Sequence, residues 1–173
     1  MALTVTLVSA DGEREVPLSH LYRDDGIDYL AKRRDEILTA IRLPDPRGLR
    51  STYWKLRRRL AFDFPVLGVG AAVRLDDGGV ITELGLCLGA VASYPVPVDT
   101  AFALGRRLDD ATIAELADHA ARLAKPLDNT DFALGWRKRI ARAYVEGALK
   151  ELRGDDPATL GLLARRATAL RPL

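Results

Sequence analysis

Several residue types that usually carry chemistry are scarce in this 173-residue chain. There is one cysteine, Cys87, which excludes an internal disulfide, a cysteine-based zinc site and an iron–sulfur cluster. It lies in the apolar run Leu84–Val91 and reads as a buried, inert thiol. The two histidines, His20 and His119, are distant in sequence and lack metal-ligand spacing, and neither has a serine or cysteine nucleophile motif nearby. Aromatic residues make up 6% of the chain and the formal net charge is only +2, too little of either for a dedicated nucleic-acid binder. No run approaches the ~18 apolar residues of a membrane span. The segment Met1–Val8 has no basic region ahead of its apolar residues. It reads as a strand rather than a secretion signal, so the cytoplasm is the expected compartment. Gly68 and Gly70 occupy two positions of a dinucleotide fingerprint, but Val73 stands where the third glycine belongs and no helix start follows. Strand glycines that let two backbones approach closely are the better reading.

What remains is an ordinary globular composition, 48% hydrophobic and 29% charged. Leu3–Val8 alternates, Ala10-Asp11-Gly12 is a turn, and Glu13–Leu18 is a second short strand, which together predict a β-hairpin. Asp35–Leu43 reads as one tight turn running into a strand. Two prolines and a glycine in Pro44–Gly48 mark the best internal boundary, dividing the chain into residues 1–47 and 48–173. Beyond it, Ser51–Arg59, Val66–Leu75 and Val80–Ala92 predict a three-stranded antiparallel meander, with its second turn at Asp76–Gly79. Helices follow. Asp109 caps one with Ile113, Leu116, Ala117, Ala120 and Leu123 on one face. Asp128–Asp131 offers the cap of a second, which carries Trp136, Ile140, Ala143, Tyr144 and Leu149 and stops at Gly154. Asp155-Asp156-Pro157 opens a last helix to about Ala169. Strands followed by helices without alternation predict an α+β fold. The first 43 residues hold too little apolar content for a core of their own and read as the tail of a larger domain.

The stretch Tyr53–Val73 is the most informative. Lys55, Arg57, Arg58 and Arg59 put four cations into five residues, and the chain then turns apolar, with Asp63 at the seam. Strand alternation places Tyr53, Lys55, Arg57 and Arg59 on one face, and Trp54, Leu56, Arg58 and Leu60 on the other. A solvated face, contact with a phosphate or flavin, and a nucleic-acid stripe are the three readings, in decreasing order. An aromatic beside an ammonium suits a planar, electron-rich ligand. Asp63 either pairs with a nearby arginine or helps position that ligand. Arg137, Lys138, Arg139 and Arg142 are expected on a solvated or subunit-facing side of the second helix, away from its apolar stripe.

The segments Gly12–Leu18, Asp35–Pro44, Tyr53–Arg59 with Phe62-Asp63-Phe64, Asp77-Gly78-Gly79, Leu84–Ala92 and Trp136-Arg137-Lys138 occur in one order over roughly residues 3–152. In that order the chain resembles the C-terminal part of the FAD-binding medium subunit of molybdenum hydroxylases, the xanthine dehydrogenase and carbon monoxide dehydrogenase superfamily. Leu21–Gly26 and Pro126–Asp131 look most like the β subunit of 4-hydroxybenzoyl-CoA reductase, which removes a phenolic hydroxyl from an aromatic thioester. The resemblance implies that residues 1–47 are the end of an FAD-binding domain and 48–173 a flavoprotein C-terminal domain. It implies FAD contacts at Leu38 and Lys55 and a role beside the flavin for Asp63. Only half of the acidic pair of xanthine dehydrogenases is kept in Phe62-Asp63, which puts direct NAD reduction in doubt. The glycine-rich loops that cradle the FAD pyrophosphate in the family are not in this sequence. The resemblance therefore implies a truncated or split flavin subunit, inactive alone and binding FAD weakly without an N-terminal portion. Its implied partners are an iron–sulfur small subunit, a molybdenum-cofactor large subunit and a separate N-terminal FAD-binding chain. Its implied role is to relay electrons between an external carrier and iron–sulfur clusters. The rival reading is an assembly module that binds partner subunits without flavin.

Overall fold

The computed structural model describes residues 3–59, 63–126 and 132–160. It contains two antiparallel sheets joined by a proline-rich connector. The first sheet holds β1 (Thr4–Ser9), β2 (Gly12–Pro17) and β3 (Ile37–Arg42), in the order β2-β1-β3. Its hairpin closes through Ala10 and Asp11, with Ser9 opposite Gly12. Gly12 has φ 132°, open to glycine and strained for other residues, so the Asp-Gly signal was sound. Val5, Leu7 and Leu21 are the fully buried members of a small cluster, with Val16, Leu18, Tyr22, Leu30 and Leu38 around them. Three buried side chains cannot offset the ordering of some forty residues, as the low apolar content of this stretch predicts.

The second sheet contains β4 (Leu49–Leu56), β5 (Leu67–Leu75), β6 (Ile81–Gly89) and β7 (Val96–Val98), in that order. It has four strands, not the three expected. Pro95 before it and Pro97 within it hide β7 in the sequence, but β7 is an edge strand, where a proline can turn its missing N–H away from the ladder. Two helices, α1 (Asp110–Leu123) and α2 (Leu134–Arg153), cover one face of this sheet. The Asp109 carboxylate caps α1 by accepting from the Thr112 N–H at 2.8 Å. Ile113, Leu116, Ala117 and Ala120 are fully buried on its inner stripe, as the spacing predicts. Gly154 ends α2 in the left-handed conformation, φ 108°, with its N–H bonded back to Lys150 and Glu151 carbonyls.

The start of α2 differs from expectation. Its N-cap is Ala133, with no side-chain cap, and the proposed capping run Asp128–Asp131 lies outside the described residues. Pro157–Leu160 forms a single 3-10 turn, and the remainder of the expected last helix also lies outside them. Arg137 is a clear correction. It sits on the buried side of α2, 4% exposed, rather than on a solvated basic face. Its Nη2 donates to the carbonyls of Val66 (3.0 Å) and Ala90 (2.7 Å), tying the helix to the start of β5 and the end of β6. Arg142 does face outward, between Asp118 and Glu146. The connector is fixed to β5, because the Arg74 guanidinium donates to the Arg47 and Asp45 carbonyls. Ser93 Oγ donates to Asp24 and links the two halves a second time. No described helix is long and apolar enough to cross a membrane.

Candidate functional site

Among the described residues no helix packs on the other face of the four-stranded sheet, where β4 presents its exposed side chains. Trp54 and Leu56 point into the core, whereas Tyr53 and Lys55 are exposed. Register puts Tyr53 opposite Gly70 and Lys55 opposite Gly68. One strand further, Gly68 pairs with Gly89 and Gly70 with Cys87. The open face is thus a floor of glycine and one cysteine, walled on one side by a tyrosine and a lysine. The floor is needed for the wall to lie down. A Cβ on Gly68 would stand 2.7 Å from Tyr53 Oη, and one on Gly70 would touch the same ring at 4.0 Å. The Tyr53 ring therefore rests along the glycines, with 63% of the residue still exposed. Among the described residues, the Lys55 ammonium has no carboxylate within ion-pair distance. Burial pushes the Cys87 thiol pKa up, which keeps it protonated and unreactive.

Alternation of faces stops at Leu56, because the strand ends there and the chain leaves the sheet until Leu67. The Val66 N–H closes this excursion on the Leu56 carbonyl at 2.8 Å. Strand alternation therefore does not govern where Arg57 and Arg59 lie. Asp63 holds Arg59 instead. Its carboxylate accepts from the Arg59 backbone N–H (3.0 Å), the Arg59 Nη2 (3.2 Å) and the Phe64 N–H (2.9 Å). The pairing reading of Asp63 is what the geometry shows, and this carboxylate fixes a loop beside Lys55. Arg58 lies over the Phe132 ring at 5.8 Å, and Phe132 stacks on Trp136 at 4.8 Å.

Leu38 belongs to the other sheet. It is half-buried on β3 opposite Leu7, at the edge of the small cluster. The residue that places it is Glu36, whose side chain is 1% exposed. Its carboxylate accepts from Arg14 Nε (2.6 Å), Arg14 Nη2 (3.0 Å) and the Arg33 N–H (2.6 Å), clamping the turn before β3 onto β2. Sequence reading took Asp35–Leu43 as a tight turn running into a strand and missed this clamp. Arg14, at alternating spacing on β2, was its one visible counterpart.

The Arg14 guanidinium holds the Glu36 carboxyl down to about 2, and the Arg59 side chain does the same for Asp63. Both folded values lie below the ordinary carboxylate range near ~4. Their contribution to stability is therefore complete above that range and is lost as pH falls from about 4 toward 2. Protection against amide exchange, taken relative to the intrinsic rate at each pH, is expected to fall selectively over that window in residues 56–59 with 63–66 and in 33–38. Asp63→Asn should abolish the pH dependence of the first segment and spare the second. Equal loss of protection throughout the chain would show that neither carboxylate acts locally.

Comparison with known proteins gives these two sheets a setting. Residues 51–152 match the CO dehydrogenase flavoprotein C-terminal domain. The chain is 33% identical over 96 residues to the nicotinate dehydrogenase FAD-subunit of Eubacterium barkeri, covering 54% of this chain and 32% of that protein. Its fold matches a chain of the carbon monoxide dehydrogenase of Hydrogenophaga pseudoflava with a TM-score of 0.78 at 22% identity, over 86% of this chain and 52% of the other. It also matches reconstituted CO dehydrogenase from Oligotropha carboxidovorans, with a TM-score of 0.78 at 23% identity, over 89% and 54%. The chain thus spans about a third of the curated relative and about half of each solved one. The α+β fold is that of these chains, and the matched segment runs from β4 to the end of α2, so the glycine floor and its Tyr53–Lys55 wall lie wholly inside it: the chain belongs to the CO dehydrogenase flavoprotein C-terminal domain family.

Proposed function

We propose that the chain is the C-terminal part of the flavin subunit of a cytoplasmic molybdenum-hydroxylase-type oxidoreductase, and that it closes one side of the FAD site. Residues 1–47 would complete the FAD-binding domain and 48–173 form the flavoprotein C-terminal domain. The observation that carries this reading is the Tyr53 ring lying on Gly68 and Gly70, on the same strand face as the Lys55 ammonium, which has no ion-pair partner among the described residues, in a chain of this family. These residues fit the group. The outer face of the tyrosine ring is open for stacking, Cys87 is the one side chain on a floor otherwise made of glycine, and Lys55 offers a positive donor to an electron-rich ring edge. Leu38 would add an apolar contact from the first sheet, while Asp63 keeps the Arg59 loop in place beside Lys55. FAD, when bound, supplies one- and two-electron chemistry, and the protein orients the ring and sets its electrostatic surroundings. In the assembled enzyme the flavin site would pass electrons between an external carrier and the iron–sulfur clusters of a small subunit, with a molybdenum-cofactor large subunit as the substrate-converting partner. The segment Leu21–Gly26 favours reduction of an aromatic CoA thioester as the reaction of the whole.

The test is a flavin titration of the chain alone and of the chain co-expressed with the FAD-binding portion of its subunit. Binding is expected only in the second case. There Lys55→Ala should weaken FAD retention about tenfold, near 1.4 kcal/mol, without lowering the melting temperature of the chain. Absence of binding in both cases would favour an assembly module that holds partner subunits without flavin. Unchanged retention in the variant would remove Lys55 from the site.

A further inference from the structure

The end of the glycine floor has little to hold its shape. Neighbouring strands are usually fixed by side chains packed across each pair, and Gly68 paired with Gly89 has none to offer. The nearest atoms to a Cβ built on Gly89 are main-chain atoms of Gly68, the first at 3.7 Å. Side-chain packing resumes at Val69 and Leu88, which are fully buried on the helix side. Val66 and Ala90 lie one residue outside β5 and β6, where the ladder has ended. Arg137 joins these two positions. A single atom, Nη2, donates to both carbonyls, at 3.0 Å to Val66 and 2.7 Å to Ala90, so the start of β5 is fixed against the end of β6. The arrangement is costly. The guanidinium gives up hydration to be buried on α2, and Ala90 is held at φ 60°, a strained conformation for alanine. A buried cation and a strained residue thus meet beside the row that side chains shape least.

We propose that Arg137 is a positioning residue of the flavin site. It sets the spacing and tilt of the Gly68 and Gly89 main chains, and through Gly68 the plane in which the Tyr53 ring lies. Gly68 is where that ring sits tightest, with Tyr53 Oη 2.7 Å from a Cβ built there, so a small shift of the row reaches the ring directly. Arg137 acts from the helix side of the sheet and does not itself meet a ligand on the floor. The inference rests on the flavin-subunit reading and names a residue that prepares that site. A purely stabilising role would make FAD retention follow stability. A positioning role lets the two be separated.

Arg137→Lys withdraws both bonds and keeps a cation on the helix. In the chain co-expressed with the FAD-binding portion of its subunit, this variant should retain FAD about tenfold less tightly. The FAD that remains should fluoresce more brightly, because a displaced Tyr53 ring quenches it less. Adding Ala90→Gly relieves the left-handed backbone and should raise the melting temperature while FAD retention stays low. Ala90→Gly alone should retain FAD normally. Leu116→Ala, which opens a cavity in the core under α1, should lower the melting temperature and leave FAD retention unchanged. Retention that returns with the melting temperature, or an equal loss in Leu116→Ala, would make Arg137 a stabilising residue only and overturn the proposal. Amide exchange in the full chain without flavin reads the floor itself. In Arg137→Lys, protection in residues 66–68 and 88–90 should fall at least about tenfold more than in 71–73 and 84–86 of the same strands. Equal loss along both strands, or none, would also overturn it. Should Arg137→Lys not fold, the double variant with Ale90→Gly carries both readings. A wild-type subunit that retains no FAD would sink the flavin reading, and the exchange result would still decide whether Arg137 sets the floor. FAD bound equally by wild type and variant, with unchanged exchange, would sink the Arg137 role alone.

Discussion

Replacing Gly147 by valine is expected to lower the melting temperature of this chain by roughly 6–12 °C, from a loss of about 3 kcal/mol. Gly147 is buried on α2, and a Cβ there would stand 2.6 Å from two atoms of the Trp54 ring. The ring cannot step aside. Its Nε1 donates to Glu151, one turn along the same helix, and its plane meets Tyr144 edge-on at 5.7 Å. Glycine in a helix interior is ordinarily about 0.5–1 kcal/mol worse than alanine. At this position the gain in propensity is smaller than the cost of displacing a clamped indole. Gly147→Ala should therefore also destabilise, by less than valine. Combining Gly147→Ala with Trp54→Phe should recover part of the loss, and a thermal double-mutant cycle would show coupling above about 0.5 kcal/mol. Unchanged melting in Gly147→Ala would mean that α2 can slide on the sheet.

Arg137→Ala is expected to cost about 3–4 kcal/mol, read from the denaturant midpoint. Its guanidinium is buried on α2 and stays protonated, although burial pushes its pKa down from the ordinary value. It serves the carbonyls of Val66 and Ala90, which end the strand excursions on either side of the Lys55–Gly68–Gly89 row. Alanine leaves both carbonyls without that donor, at roughly 1–3 kcal/mol each. Ala90 also has φ 60°, a left-handed conformation unfavourable to alanine that the rest of the fold must hold in place. Arg137→Lys should restore only part of the stability, because both bonds come from Nη2 at the far tip of the guanidinium, which the shorter lysine side chain does not reach. Ala90→Gly in the Arg137→Ala background should recover some stability by relieving the backbone. A denaturant midpoint unchanged by Arg137→Ala would show that the two carbonyls find other donors.

Much of this architecture could be read from residue order. Asp11-Gly12 set the hairpin, Asp109 set the start of α1, and Gly154 set the end of α2, because each relies on local chemistry. Tyr53, Trp54, Lys55 and Leu56 sorted onto two faces as alternation requires, and with them the wall of the open face. The same rule failed from Arg57 onward, since periodicity does not announce where a strand ends. Val96–Val98 was missed because prolines signal a break, and only tertiary pairing to β6 makes them an edge. Arg137 was misplaced for a deeper reason. A cation buried to serve two main-chain carbonyls has no counterpart in its own helix, so no spacing within α2 can reveal it. The Glu36 clamp is similar, since its partner Arg14 lies across the sheet, on β2.

The glycine floor has an energetic consequence. Covering a protein surface ordinarily freezes the side chains on it, at about 0.5–1.5 kcal/mol for each long one. Gly68, Gly70 and Gly89 have no rotamers to lose, and Tyr53 is already laid against them. Among the described residues on this part of the face, Lys55 is the long side chain without an ion pair that a covering group would have to order. The open sheet is therefore entropically prepared to be covered, and nearly all of the ordering cost of contact there falls on a single lysine.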